Sequence, residues 1–191
     1  MIDLITKALL NKIQDADQDS YLTVEKTADA DELEAYLKNV LVQKIHTSGI
    51  VDFPEQSGCS VRLSAEQSIP DQTVTKVRFN SKIFDYQNEF NTSTYRFTAT
   101  KAGIYLVIAS LEYIIETDVS RYRVYIYKNG ANIKANWHGS SGMFYQGVIV
   151  AGLIPLSEND YIEVYTFQNT GESRNINEPA ARTFLDIVKI T

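Results

Sequence analysis

The chain has 191 residues and a formal net charge of −6, enough for one well-packed domain and a small appendage. Twelve tyrosines among many β-branched residues lean the composition towards pleated, half-buried surfaces. The negative excess lies wholly in residues 1–57, eleven acids against five bases, while residues 58–191 carry thirteen of each; with no grouped Lys and Arg to neutralise phosphates, nucleic acid is excluded as a partner.

Ile2, Ile5, Leu9 and Ile13 recur at helical spacing and predict a short helix over about residues 2–13. So short a helix is marginal alone and must dock, either on its own chain or as an anchor or self-association seam. Asp-rich turns follow, with a short strand over Tyr21–Lys26. Residues 32–44 read two ways. Leu33, Tyr36, Leu37, Val40 and Leu41 fit one face of a helix, which periodicity favours; two strands, Leu33–Leu37 and Val40–His46, fit as well. Asp15-x-Asp17-x-Asp19 opens like a calcium loop, but Ser20 and Lys26 stand where glycine and a bidentate glutamate belong, so it reads as a solvated acidic turn. Residues 47–57, with Ser48-Gly49 and Phe53-Pro54, form a turn-rich linker, and the domain boundary is placed at its end.

From Gly58 onward, strand-like runs of six to twelve residues alternate with turns. Val61–Ala65, Thr73–Asn80 and Thr94–Thr100 alternate, and Ile104–Ile115 is a long apolar strand. Arg121–Lys128 runs into Asn129-Gly130, a strong hairpin signal, and Ala131–Trp137 returns. Met143–Leu153, Tyr161–Asn169 and Thr183–Ile190 complete eight or nine strands, the pattern of a sandwich or barrel.

An enzyme needs a constellation of reactive groups, and none is visible. His46, His138 and the single Cys59 cannot build a zinc cluster, and no nucleophile elbow or phosphate loop occurs. Cys59 also rules out an intrachain disulfide, which suits assembly in a reducing cytosol. No stretch approaches a membrane span, and the first residues lack the features of a secretory signal. Trp137 and His138, continued by Phe144 and Tyr145, make a candidate partner-binding loop, although Trp137 as the sole tryptophan reads more economically as a cap on the core edge. The polar stretch Gln168–Arg182, with Arg174 near its middle, is either a second binding loop or a solvated crossover. Tyr125 and Tyr127 have the opposite parity to Val124 and Ile126. If the aliphatics face the core, the tyrosines face outward, and their burial in a cyclic homotrimer would cover an otherwise exposed patch.

The order "TVTKVRFN", "NTSTYRFTATKAGIYLVIASLEYI", "YRVYIYKNG", "GLIPLSENDYIEVYTFQN" and "FLDIVKI" resembles the globular head of the complement first-component q subunits, which shares its fold with the tumour necrosis factor superfamily. The resemblance covers about residues 58–191. It implies an all-β, ten-strand antiparallel jelly-roll sandwich of a kind that trimerises, preceded here by the short helix and a small β-rich attachment segment. "KIQDADQDSYLTVEKTADADELEAYL" followed by "VLVQKIHTSGIVDFP" is similar to a segment of phage and marine-virus fibre proteins, departing from it at Leu33–Leu37.

Together the two resemblances imply a non-enzymatic virion-surface protein, made in the host cytoplasm: a trimeric short head fibre or capsid decoration protein. Its N-terminal segment, with Ile2, Ile5, Leu9 and Ile13 as candidate anchor, would hold a major capsid or other virion protein. The alternatives are a host-adhesion tip of a short tail fibre, binding a surface glycan or protein, and a bacterial extracellular binding module. No cofactor is implied; calcium at a trimer apex is left open, since loop carbonyls leave no linear motif.

Overall fold

The computed structural model describes residues 12–24, 32–115, 121–139, 144–178 and 182–191. The chain divides into two units, Met1–Gln56 and Ser57–Thr191. Among the described residues every regular element is a strand and every pairing is antiparallel.

The first unit is a five-stranded meander of β1 (Lys12–Gln14), β2 (Tyr21–Val24), β3 (Leu33–Leu37), β4 (Val40–Ile45) and β5 (Val51–Asp52), in that order across the sheet. This corrects two expectations. Lys12 and Ile13 belong to a strand, not to the end of a helix, and residues 2–11 lie outside the described residues. Residues 33–45 form the pair of strands that periodicity had ranked second. The reason is local: Lys38 and Asn39 take φ of 49° and 62°, the left-handed pair that closes a two-residue hairpin. Tyr21 lies opposite Tyr36 in the register and their rings stack at 4.5 Å, so one face is held by tyrosine packing. Tyr36 donates from its hydroxyl to Glu34 Oε2 at 2.8 Å, and Lys44 pairs with Glu32 at 2.5 Å.

The second unit is a two-sheet jelly roll. A six-stranded sheet runs β10 (Phe90–Asn91), β11 (Arg96–Thr98), β16 (Tyr161–Gln168), β13 (Arg121–Lys128), β14 (Ala131–Gly139), with β8 (Thr75–Lys76) also on β16. A seven-stranded sheet runs β7 (Gln67–Ile69), β17 (Arg174–Ile176), β12 (Gly103–Ile115), β18 (Phe184–Lys189), β6 (Gly58–Arg62), β9 (Ser81–Asp85), with β15 (Phe144–Leu156) on the other edge of β12. The strands beyond the expected ten come from pieces of two or three residues such as β8, β10 and β17. The predicted strand Thr73–Asn80 keeps only Thr75–Lys76 in a ladder, and Ser81–Asp85, which the sequence pattern does not mark, pairs with β6.

The core lies between the two sheets. Tyr105, Val107, Ala109, Leu111 and Tyr113 of β12 point inward and are fully buried, against Tyr122, Val124 and Ile126 of β13 and Ile162 and Val164 of β16. Fully burying side chains of this size stabilises by about 1.5–3 kcal/mol each, so alternation on the central strands fixes which face is core. Tyr113 and Thr166 share a buried hydroxyl–hydroxyl hydrogen bond, and Thr166 Oγ1 reaches the Arg123 carbonyl at 2.7 Å.

Candidate functional site

No catalytic constellation assembles among the described residues. Cys59 is buried in the core, and burial pushes its thiol well above the usual range, so it is no nucleophile. What stands out instead are surfaces.

The first is the outer face of the seven-stranded sheet. The outward parity of β12 presents Ile104, Leu106 and Ile108 and, beyond Ser110 and Glu112, Ile114; these four aliphatics are all half-buried. In the register these lie beside Pro155, Leu153, Ala151 and Tyr145 of β15, and Leu106 lies beside Val188 of β18. Leu153 is 58 % exposed, and Ile149, Tyr145 and Val188 are exposed too. Towards β9 the face holds a hollow of about 430 Å³ lined by Arg62, Ile83, Phe84, Leu106, Ile108 and Val188, among others. Its polar groups are paired inside the chain: Asp186 Oδ1 accepts from Ser60 Oγ at 2.7 Å and from Arg62 Nη1 at 2.9 Å. A contiguous apolar face of this kind, with its few polar groups already satisfied, is uncommon on a monomer.

The second surface lies in the first unit. Register and parity put Ile13, Leu22, Val24, Leu33, Leu37, Val40 and Val51 on one face of the five-stranded sheet, and all seven are exposed. Among the four candidate anchor residues, Ile13 is thus on a strand and 73 % exposed, while Ile2, Ile5 and Leu9 lie outside the described residues. Elsewhere on this unit Asp15, Asp17 and Asp19 sit in the β1–β2 turn with carboxylate oxygens within 4.8 Å of one another. The Ser20 amide donates to Asp15 Oδ1 at 3.2 Å.

The outer face of the six-stranded sheet carries Tyr125 and Tyr127, and their parity is as expected: Val124 and Ile126 face the core. They do not, however, form the open patch that parity suggested. Tyr125 is only 8 % exposed, and Tyr127 packs on Tyr165 with ring centroids 4.4 Å apart. Beside them Glu163 is held by Lys76 Nζ at 2.7 Å and by Arg96 Nη2 at 2.8 Å. Burial alone would raise the Glu163 carboxyl, but hydrogen bonds from Lys76 and Arg96 outweigh it and hold the group below the usual carboxylate range.

The predicted partner-binding loop does not hold together as one patch. Trp137 is 61 % exposed, not a cap on the core; it lies opposite Arg123 on the outer face of the six-stranded sheet, with the Arg121 guanidinium 5.8 Å from its ring. His138 is exposed on the other parity, opposite Tyr122. Tyr145 belongs to the outer face of the seven-stranded sheet, and Phe144 is described for its backbone alone, opposite Ile115. Arg174 is not on a loop surface: it opens β17, is 5 % exposed and pairs with Glu172 Oε1 at 2.6 Å. Its planar guanidinium is spent on fixing that crossover.

These features define an antiparallel jelly-roll head with open apolar faces, joined to a small β-meander. The structure is similar to Eiger, a tumour necrosis factor of S. frugiperda, at TM-score 0.55 and 12 % identity over 71 % of this chain and 93 % of that one. It is equally similar to the globular domain of zebrafish complement 1qA (0.55, 17 %, over 72 % and 98 %) and to murine APRIL (0.55, 17 %, over 71 % and 100 %). At such identity the likeness shows the jelly-roll fold alone. In sequence, the chain is 34 % identical over 101 residues to the phage-like element PBSX protein XkdV of Bacillus subtilis (strain 168), covering 48 % of this chain and 15 % of that protein. It is 31 % identical over 104 residues to the uncharacterized protein YqcC of the same strain, covering 51 % and 28 %. The chain therefore spans less than a third of either relative. No protein-family model matches it.

Proposed function

We propose that the protein is a non-enzymatic virion structural protein, a homotrimeric short head fibre or capsid decoration protein on the virion surface. The jelly-roll unit projects as the head, and the N-terminal unit carries attachment to a capsid or other virion protein. The observation that carries this reading is the outer face of the seven-stranded sheet. Its aliphatic rows and hollow are left open in one chain, and a second copy would cover them. Closed rotational symmetry is the usual way for identical chains to bury such a face without forming filaments. The exposed apolar face of the five-stranded sheet supports association by the first unit as well. The similarity to a phage-like element protein supports a virion setting, and the resemblance to trimerising heads favours three copies. The test is the solution mass of the full chain by light scattering at micromolar concentration. A mass of three chains is expected; a mass of one chain, 21.6 kDa, removes the trimer and with it the fibre.

A second reading, a host-adhesion tip binding a surface glycan or protein, is favoured by the outward Trp137 with Arg121 against its ring. Flat aromatic faces beside a guanidinium are common recognition surfaces. Trp137→Ala would then weaken binding to host cells without changing the mass.

A further inference from the structure

One concave place on the jelly-roll unit is lined by groups that the fold does not use. Beside β7, the residues after β8 and the β10–β11 turn, two adjoining hollows of about 220 and 390 Å³ share Gln67, Arg78 and Tyr95 in their walls. Gln67 is the frame of this cleft. Its Nε2 donates to the Lys76 carbonyl at 2.8 Å and its Oε1 accepts from the Arg78 amide at 2.8 Å, bridging where no ladder runs. Lys76 is spent on the Thr94 carbonyl and on Glu163. Left over are the Arg78 guanidinium and the Tyr95 ring and hydroxyl, which make no hydrogen bond or ion pair among the described residues. Glu66 Oε2 accepts from Asn175 Nδ2 at 2.8 Å, and its other oxygen is unused.

Tyr95 is unusual for a second reason. It is the last residue of the turn between the paired Asn91 and Arg96, and its φ is +54°. Glycine or asparagine takes that conformation easily, whereas a bulky ring there is a backbone outlier. Among the described non-glycine residues with positive φ it is the aromatic one. Local geometry therefore does not account for the tyrosine, and strain that the fold tolerates at a cleft points to use of the side chain.

We propose that this cleft binds a single acidic sugar unit, a hexuronate within a surface polysaccharide. The Arg78 fork takes the carboxylate in two parallel hydrogen bonds. The Tyr95 ring underlies the apolar C–H face of the pyranose, and the free Glu66 oxygen accepts a ring hydroxyl. The charges not consumed by the fold are one cation and one shared anion, which suits a ligand with one carboxylate and several hydroxyls. A phosphodiester would meet Glu66 with no second free cation in the cleft. The site is separate from the faces proposed for assembly, and its test does not depend on the oligomeric state.

The experiment is calorimetric titration of the full chain with a tetrasaccharide of alternating glucuronate and N-acetylglucosamine, against the same tetrasaccharide with its carboxyls reduced to alcohols. Binding of the acidic form is expected to be at least tenfold tighter than that of the reduced one. Arg78→Ala and Arg78→Lys should each lose at least tenfold, because a lysine cannot reproduce the fork. Tyr95→Asn should lose as much while leaving the melting temperature unchanged or higher, since asparagine relaxes the backbone; this separates lost recognition from lost folding. Equal binding of the reduced tetrasaccharide, unchanged binding by Arg78→Ala, or loss of binding on Trp137→Ala alone would each overturn the assignment, as would no binding by the parent chain.

Discussion

At the scale of single residues, the carboxylates of the jelly-roll unit define its acid limit. Asp160 accepts from Lys128 Nζ at 2.8 Å, Asn129 Nδ2 at 2.6 Å and the Ser157 amide at 2.7 Å, tying the 157–160 turn to the Asn129-Gly130 hairpin. Lys128 first, then Asn129 and the amide, hold its carboxyl down at about 2. A folded value below the unfolded one means stability that is present above about pH 4 and lost as pH falls through 2. Glu163 is depressed in the same direction and adds to the same loss. A carboxyl-detected NMR titration should put the Asp160 midpoint near 2; a midpoint at the ordinary aspartate value would show that the cage does not form. Glu163→Gln leaves Lys76 and Arg96 facing a neutral amide and should cost about 1–3 kcal/mol in urea unfolding at pH 7, tempered because both cations are half-exposed. The sequence marks Asp160 only as the end of the Pro155–Asp160 turn, and nothing in the pattern singles out Glu163, because its partners Lys76 and Arg96 come from strands far away in the chain.

At the scale of elements, the β3–β4 hairpin explains how a helix reading arose. Leu33, Tyr36, Leu37, Val40 and Leu41 fit a 3.6-residue period only because a two-residue turn falls between two short strands. Lys38-Asn39 carries no glycine to announce it. The positive φ at both positions makes a prediction: Lys38→Asn combined with Asn39→Gly should stabilise the first unit by about 0.5–1 kcal/mol, read as slower amide exchange in β3 and β4. The other end of this sheet carries a pH response. His46 Nε2 lies 2.7 Å from Asp52 and Nδ1 3.2 Å from Glu32, and the Asp52 hydrogen bond raises its pKa. A folded pKa above the unfolded value gives stability that is full below about pH 6.5 and lost as pH rises through the folded value. Opening of the β4–β5 pair, from exchange corrected for intrinsic rate, should therefore increase from pH 6 to pH 8, and His46→Gln should flatten the change. In the second unit the strands were legible wherever one face is core and the other polar or aromatic, as in Arg121–Lys128. Ser81–Asp85 escaped because its Ile83 and Phe84 point outward, so the pattern that marks a half-buried strand is absent.

At the scale of the whole molecule, the proposed assembly turns on which face would join one copy to the next. Parity on β13 located the outward tyrosines correctly but could not show that Tyr125, Tyr127 and Tyr165 cover one another. On β12 the opposite holds. From Ile104 to Ala109 the run is apolar at both parities and reads as core on both sides, so no parity signal marked Leu106, Ile108 and their neighbours on β15 as surface. The two faces make opposite predictions. Leu153 is outward on an edge strand, so Leu153→Asp leaves the protomer core untouched but puts a charge into any interface on the seven-stranded sheet. It should weaken association by about 2–4 kcal/mol per protomer, roughly 30-fold or more in dissociation constant, with the midpoint of unfolding of the isolated chain little changed. Tyr127→Ser should do the reverse, loosening the tyrosine cluster and lowering the unfolding midpoint while the solution mass stays that of the parent. If Tyr127→Ser dissociates the assembly and Leu153→Asp does not, the copies meet through the six-stranded sheet, and the aliphatic face of β12 and β15 is left for a different partner.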